Sequence, residues 1–197
     1  YIAQQMGLPI DQLVVATNQN DILHRCLDGK GYYKGETIPS ISPSMDIQVS
    51  SNFERALYFA YGRDSSAVAQ LMDELASGGF DVSQGAQQAL GETYNSGRCS
   101  EDETLATIKS QLAASGDLLC PHGAIGVKVA EEHRNPSVPM VTLATAHPAK
   151  FPAAAKDACG IHPPLPTQMS DLYDRPERVT RIANDLTTLE EHIRKNI

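Results

Sequence analysis

Met140-Val141-Thr142-Leu143-Ala144-Thr145-Ala146, entered through Val138-Pro139 and leaving through His147-Pro148-Ala149-Lys150-Phe151, is the stretch on which the fold turns. Its run from Met140 to Ala146 is short, apolar and β-prone, so it predicts a strand inside a sheet covered on both faces. Polar side chains gather at its end. In α/β sheets ligands bind beyond the carboxyl ends of strands, so Thr145, His147 and Lys150 fall where a small-molecule site would lie. A Thr and a His at a strand end are also ordinary polar punctuation.

Working outward, 197 residues with 41% apolar content suffice for one sizeable core, and the mixture of helix and strand patterns suits an α/β class. Tyr1 is not an initiator Met, and Ile2 to Leu8 reads as the second half of a helix closed by Gly7 with no N-cap ahead, so an upstream part is expected. With 16 basic against 24 acidic residues the formal charge is −8, which argues against a nucleic-acid footprint and leaves no basic stripe for a membrane surface. A cytoplasmic metabolic role fits. Cys26, Cys99, Cys120 and Cys159 are widely spaced, form no CxxC and accompany no signal peptide, so they read as free, mostly buried thiols. His122, His147 and His162 have no zinc-site spacing.

In chain order, Leu13 to Thr17 predicts a second buried strand, running into the polar corner Thr17-Asn18-Gln19-Asn20-Asp21. Asp21 is a natural cap for a helix from Ile22 to Leu27. Residues 28–35 read as a loop whose glycines match no phosphate-binding fingerprint. Ser42-Pro43-Ser44-Met45-Asp46 packs polar groups around short apolar ones, and Ser51 with Glu54 predicts a capping box for a helix to about Tyr61. A hydroxyl-rich entry to a helix N-terminus also suits an anion.

From Asp64 to about Ser115 the sequence predicts helices: one behind Asp64 with Val68, Leu71, Met72 and Leu75 on one face, a short one from Gln84 to Tyr94, and one behind a Ser100–Glu103 capping box closed by Gly116. This region reads as a packing subdomain or lid. Pro121 suits a first helical turn and sets His122 at a helix N-terminus, where the macrodipole disfavours its charge; it is a neutral hydrogen-bonding group or a packing residue. Beyond Phe151, a short helix led by Pro152 and closed by Gly160 precedes a proline-rich connector. Asp174 with Glu177 predicts the cap of a terminal helix whose Val179, Ile182, Leu186, Leu189 and Ile193 form one stripe, for the body or a partner.

Pro43-Ser44-Met45-Asp46-Ile47 running into Ser51-Asn52-Phe53-Glu54-Arg55, then Pro121-His122-Gly123-Ala124-Ile125-Gly126-Val127, then Leu143 to Phe151 give the chain a family resemblance. Together with Thr17 to Asp21 they resemble the C-terminal part of bacterial and fungal type threonine synthases, with one departure: Gly123 stands where that family usually has Thr. The resemblance implies a tryptophan synthase β-like (fold type II) pyridoxal-phosphate fold. Residues 1–62 would belong to the large cofactor domain with its site loops, 63–116 to a helical insert, and 117–197 to the remainder of the large domain and the C-terminal helix. It implies pyridoxal 5'-phosphate as cofactor and O-phospho-L-homoserine as substrate, converted with water to L-threonine and phosphate. Thr145 would bond the pyridine nitrogen, and Asn18, Asn20, Ser44, Asn52, Arg55, His122 and Lys150 would line the site. No lysine here stands in the family's Schiff-base motif and no glycine-rich phosphate loop is present. The chain therefore reads as a fragment inactive alone, its partner the N-terminal part of the same enzyme. A non-catalytic binding or interaction domain is the rival from another class. A related β-replacement enzyme is the nearer rival, and the Pro-Ser-Met-Asp stretch argues against it.

Overall fold

Ile2–Gln5 forms a single helical turn, α1, ended before Gly7. The computed structural model describes all residues from 1 to 197. Leu13–Thr17 is β1, as its β-branched run predicts, and Ile22–Leu27 is α2 with the predicted bounds. Tyr32–Tyr33 (β2) is a strand inside what reads as a loop. A 3-10 turn at Pro43–Met45 leads to α3, Phe53–Ala60, and α4, Ser65–Ala76.

Gly79–Phe80 (β3), Gln84–Thr93 (α5), Tyr94–Arg98 (β4) and Glu101–Ser115 (α6) follow. Then come α7, Pro121–Glu132, and α8, Pro152–Cys159. The sheets are small. β1 pairs in parallel with β4, Leu13 opposite Tyr94 through Thr17 opposite Arg98, and β2 pairs antiparallel with β3. Residues 1–164 form one compact unit and 165–197 a second. No helix is long and apolar enough to cross a membrane.

Two cores follow from this order. Ile22 and Cys26 of α2, Tyr32, Phe53 and Leu57 of α3, Leu71 and Leu75 of α4, Phe80 and Leu90 close one cluster. Burial there pushes the Cys26 thiol up to about 12, against the pull of Arg25. The second joins the parallel pair to α7: Cys99, Ile125 and Val129, with Val14, Ala16 and Met45 against them. Gly97 makes that approach possible, because a Cβ there would lie 2.7 Å from Val129 Cγ1. Lys128 completes the seam from the polar side, pairing with Glu103 at 3.3 Å and Glu132 at 2.8 Å and donating to the Arg98 carbonyl.

Several helix ends form as the sequence predicts. Asp64 accepts from the amides of Ser66 and Ala67, and Ser100 and Glu103 make their capping box at 3.3 and 2.7 Å. Ser100→Ala should therefore lower stability by about 1 kcal/mol in urea denaturation. An unchanged midpoint would mean that solvent replaces the cap.

Other expectations are corrected. Met140 to Ala146 is not a strand: it runs without ladder bonds, with Val141 and Leu143 each 76% exposed. A strand needs a neighbouring edge, and no strand of this chain lies beside it. Instead Thr142 rests on α7, so close that a Cβ at Gly126 would meet its Cγ2 at 2.9 Å. Asp21 does not cap α2 with its side chain, which is spent on Arg25 at 2.9 Å and Arg98 at 3.6 Å. Ser51 and Glu54 make no capping box either. The chain turns into α3 with Asn52 already near helical angles, and Phe53 and Arg55 donate backwards to the carbonyls of Ser50 and Asn52.

Residues 63–116 carry the three expected helices, but also β3 and β4, and β4 completes the parallel pair. In the second unit the terminal helix, α9, spans only Leu186–Asn196. Asp174 and Glu177 do not start it. Asp185 does, through its carboxylate to the Thr188 amide at 2.8 Å, which leaves Val179 and Ile182 outside the helix and Leu186, Leu189 and Ile193 on it.

Candidate functional site

Thr17, last in β1, is buried with its hydroxyl donating to the Gly97 carbonyl at 3.1 Å, so the strand end is fixed to its neighbour. Asn18 and Asn20 follow, 1% and 3% exposed. Buried amides must spend their donors and acceptors, and these spend them on the loop 38–48. Asn20 brackets Ile38, accepting from its amide at 2.8 Å and donating to its carbonyl at 2.9 Å. Asn18 donates to Ser40, Ser42 and Asp46, at 3.0, 2.9 and 2.8 Å. Its own carbonyl oxygen accepts from the Asn20 backbone at 2.9 Å.

Asp46 is where these bonds converge. One carboxylate oxygen accepts from Asn18, from Asn20 at 3.0 Å and from the Ser40 hydroxyl at 2.6 Å, and the other accepts from the Ser40 amide at 2.8 Å. Asn18 and Asn20 are among the expected site residues; Ser42 and Asp46 lie in the stretch the sequence marks as unusual but carry no expected role, and Ser40 is not marked at all. The available signal was the alternation Ser40-x-Ser42-x-Ser44-x-Asp46, which places polar groups at every second position. Ser44 lies exposed on the 3-10 turn, while Met45 packs against the cluster of Cys99, Ile125 and Val129.

That contact leads to the head of α7. Cys120 caps it, its Sγ accepting from the Gly123 amide at 3.4 Å, a role the sequence did not announce. His122 stands in the first turn with both ring nitrogens buried and without a hydrogen-bond partner. Phe151 covers it at a ring-centroid distance of 4.6 Å, and the Lys150 ammonium lies 5.9 Å from the Phe151 ring. Burial lowers the imidazole's affinity for a proton; Lys150 adds to that, and Asp46 opposes it. The neutral form expected of a histidine at a helix head is thus favoured.

This has a pH signature. A histidine whose folded pKa lies below the ordinary 6.5 costs nothing at higher pH, and destabilises the fold as pH falls through 6.5 towards the folded value. The denaturation midpoint should therefore drop more between about pH 7.5 and 5.5 in the parent than in His122→Phe. Parallel curves would place His122 outside this balance.

The fold brings together Asn18, Asn20 and the Ser44 turn through Asp46, and His122 with Lys150 through Phe151. It does not gather every expected residue. Asn52 and Arg55 lie exposed at the start of α3, and neither side chain bonds to the others or joins an ion pair. Thr145 is exposed at the end of the extended segment, its hydroxyl unshared within the chain. A hollow of about 540 Å³ between the C-terminal half of α7 and residues 134–142 is lined by none of these candidates.

A parallel strand ending in a polar loop beside a helix head fits the fold type II, tryptophan synthase β-like class. Solved structures bear this out. A threonine synthase from Brucella melitensis with pyridoxal phosphate bound matches 99% of this chain and 42% of its own length, at 52% identity and a TM-score of 0.92. The yeast threonine synthase matches at 31% identity and 0.84, over 99% of this chain and 44% of its own. The model of the threonine synthase C-terminal domain matches residues 123–193, and over nearly all of its length the chain is similar to the C-terminal part of threonine synthases. The threonine synthase of Pseudomonas aeruginosa is 48% identical over 196 residues, which are 98% of this chain and 42% of that protein. The chain thus spans less than half the length of the curated relatives it matches.

Proposed function

We propose that this chain forms the C-terminal part of a pyridoxal-phosphate-dependent threonine synthase, which converts O-phospho-L-homoserine and water to L-threonine and phosphate. In this reading the lysine that holds the cofactor, and the loop that holds its phosphate, come from the N-terminal part of the same enzyme. Residues 1–62 and 117–197 belong to the large domain, with 63–116 inserted between them. A step on small charged metabolites fits the cytoplasm.

The observation that carries the reading is His122. Leaving both nitrogens of a buried imidazole unsatisfied costs roughly 1 to 3 kcal/mol each, which a packing role does not explain, since an apolar ring would pack without that cost. Unsatisfied nitrogens beside a polar loop suit a polar ligand instead. The bound cofactor would supply an electron sink for carbanion chemistry. The chain's own residues would do the holding. Thr145, its hydroxyl free, would donate to the pyridine nitrogen, His122 would offer neutral hydrogen bonds, and Ser44 and Lys150 would line the edge. Asn18 and Asn20 would act from behind, through the loop they clamp. Asn52 and Arg55 keep a place only as outer lining.

The test joins the N-terminal part of the P. aeruginosa enzyme to this chain. The chimera should rescue a threonine auxotroph and release phosphate from O-phospho-L-homoserine. The 197-residue chain treated alone with pyridoxal phosphate and borohydride should gain no stoichiometric, site-specific adduct. A folded chimera that binds cofactor and makes no threonine would sink the proposal.

A further inference from the structure

Asp46 takes no part in the roles assigned above, yet its carboxylate accepts four hydrogen bonds and has no cation in ion-pair contact. Its donors come from two places: Asn18 and Asn20 just beyond β1, and Ser40 on the far side of the loop. Immediately before it lies the Pro43–Met45 turn, whose own bonds are short and local, Met45 to the Ser42 carbonyl at 2.8 Å and Asp46 to Pro43 at 3.2 Å. The turn therefore takes its position from its neighbours. Met45 fixes its underside on the cluster of Cys99, Ile125 and Val129, and Asp46 fixes its end on the strand corner.

A neutral amide could not do the same work. An asparagine at this position would turn one NH₂ group towards donors, so at least one of the converging bonds would become a donor–donor clash. Charge matters beyond the loop as well, since Asp46 acts on His122 in the sense opposite to Lys150.

We propose that Asp46 is a positioning residue for the reaction assigned above, on which this role rests. It holds the Pro43–Met45 turn in place between the strand corner, to which its carboxylate is bonded, and the core of α7 and the parallel pair, on which Met45 packs. Ser44, the exposed hydroxyl of the turn, is the group whose placement it governs.

Asp46→Asn in the active assembly containing this chain should lower kcat by about ten- to a hundredfold with a smaller change in KM, because misplacing a site group by an ångström is felt in the bound geometry. The acid limb of the kcat profile should move to lower pH. In the 197-residue chain, labelled at histidine, the ring resonance of His122 should titrate at lower pH than in the parent. Ser40→Ala removes one of the four donors, the hydroxyl, and keeps the charge. It should cost a lesser part of kcat and leave the His122 titration in place, and it serves if Asp46→Asn does not fold.

Thermal midpoints lowered with kcat and the His122 titration unchanged would make Asp46 a loop anchor only and overturn the proposal. If the unmodified assembly makes no threonine, the assigned reaction falls and the positioning role of Asp46 falls with it. The titration then still shows whether its charge reaches His122.

Discussion

Gly79→Ala should destabilise the protein by roughly 3 to 5 kcal/mol, enough to unfold a marginal domain at physiological temperature. Two costs combine. The φ of Gly79 is +155°, a conformation that side chains rarely adopt, and a Cβ there would lie 2.5 Å from the Tyr32 carbonyl and 2.6 Å from Tyr33 Cα. Those are backbone atoms of the strand opposite, so nothing can swing aside. The pair β2–β3 would have to part, taking with it Tyr32 and Phe80, which are buried 5.3 Å apart in the larger core, and the bond from the Ser50 amide to the Tyr32 hydroxyl. Gly78 is the control. Its φ is +140°, but a Cβ would meet nothing within 4 Å, so Gly78→Ala should cost about 1 to 3 kcal/mol from conformation alone. Equal losses in guanidinium denaturation would show that contact with β2 contributes nothing.

The strands β3 and β4 show where the sequence was silent. β3 is Gly79-Phe80 behind a second glycine, and β4 is Tyr94-Asn95-Ser96-Gly97-Arg98; neither has the β-branched, alternating composition by which strands are read. They are strands because of what lies beside them. Gly97 in particular is there for the approach of Val129, a tertiary reason invisible to local pattern. Helices were more legible because their signals are local: Asp64, Ser100 and Pro121 act within one turn of themselves.

Met140 to Ala146 marks the opposite limit. Its composition is that of a strand, but a ladder is made by two segments, and composition describes only one of them. Among the candidate site residues, the sequence marked the strand corner, the serine loop and the helix head as places of interest. It could not say that Asn18 and Asn20 would be spent on the loop, or that Asp46 would be the acceptor joining them, because hydrogen-bond partners 18 to 28 residues apart leave no periodicity.

Thr145→Val in the active assembly should lower kcat/KM by about ten- to a hundredfold, the equivalent of roughly 1 to 3 kcal/mol for a buried acceptor left without its donor. The substitution keeps the branched shape and removes only the hydroxyl, so a loss cannot be assigned to packing. Within this chain the Thr145 hydroxyl has no partner, and its neighbours Leu143 and Val141 are exposed, so the side chain holds nothing else in place. Thr145→Ser restores a donor without the methyl and should recover most of the activity. Thr145→Asp should act differently: a carboxylate beside a pyridine nitrogen favours its protonation, shifting the cofactor's absorbance and diverting turnover towards side products. Cofactor occupancy, absorbance spectrum and product ratio distinguish these outcomes. A Val variant that binds cofactor and turns over like the parent would remove Thr145 from the site and leave His122 as its firmest residue.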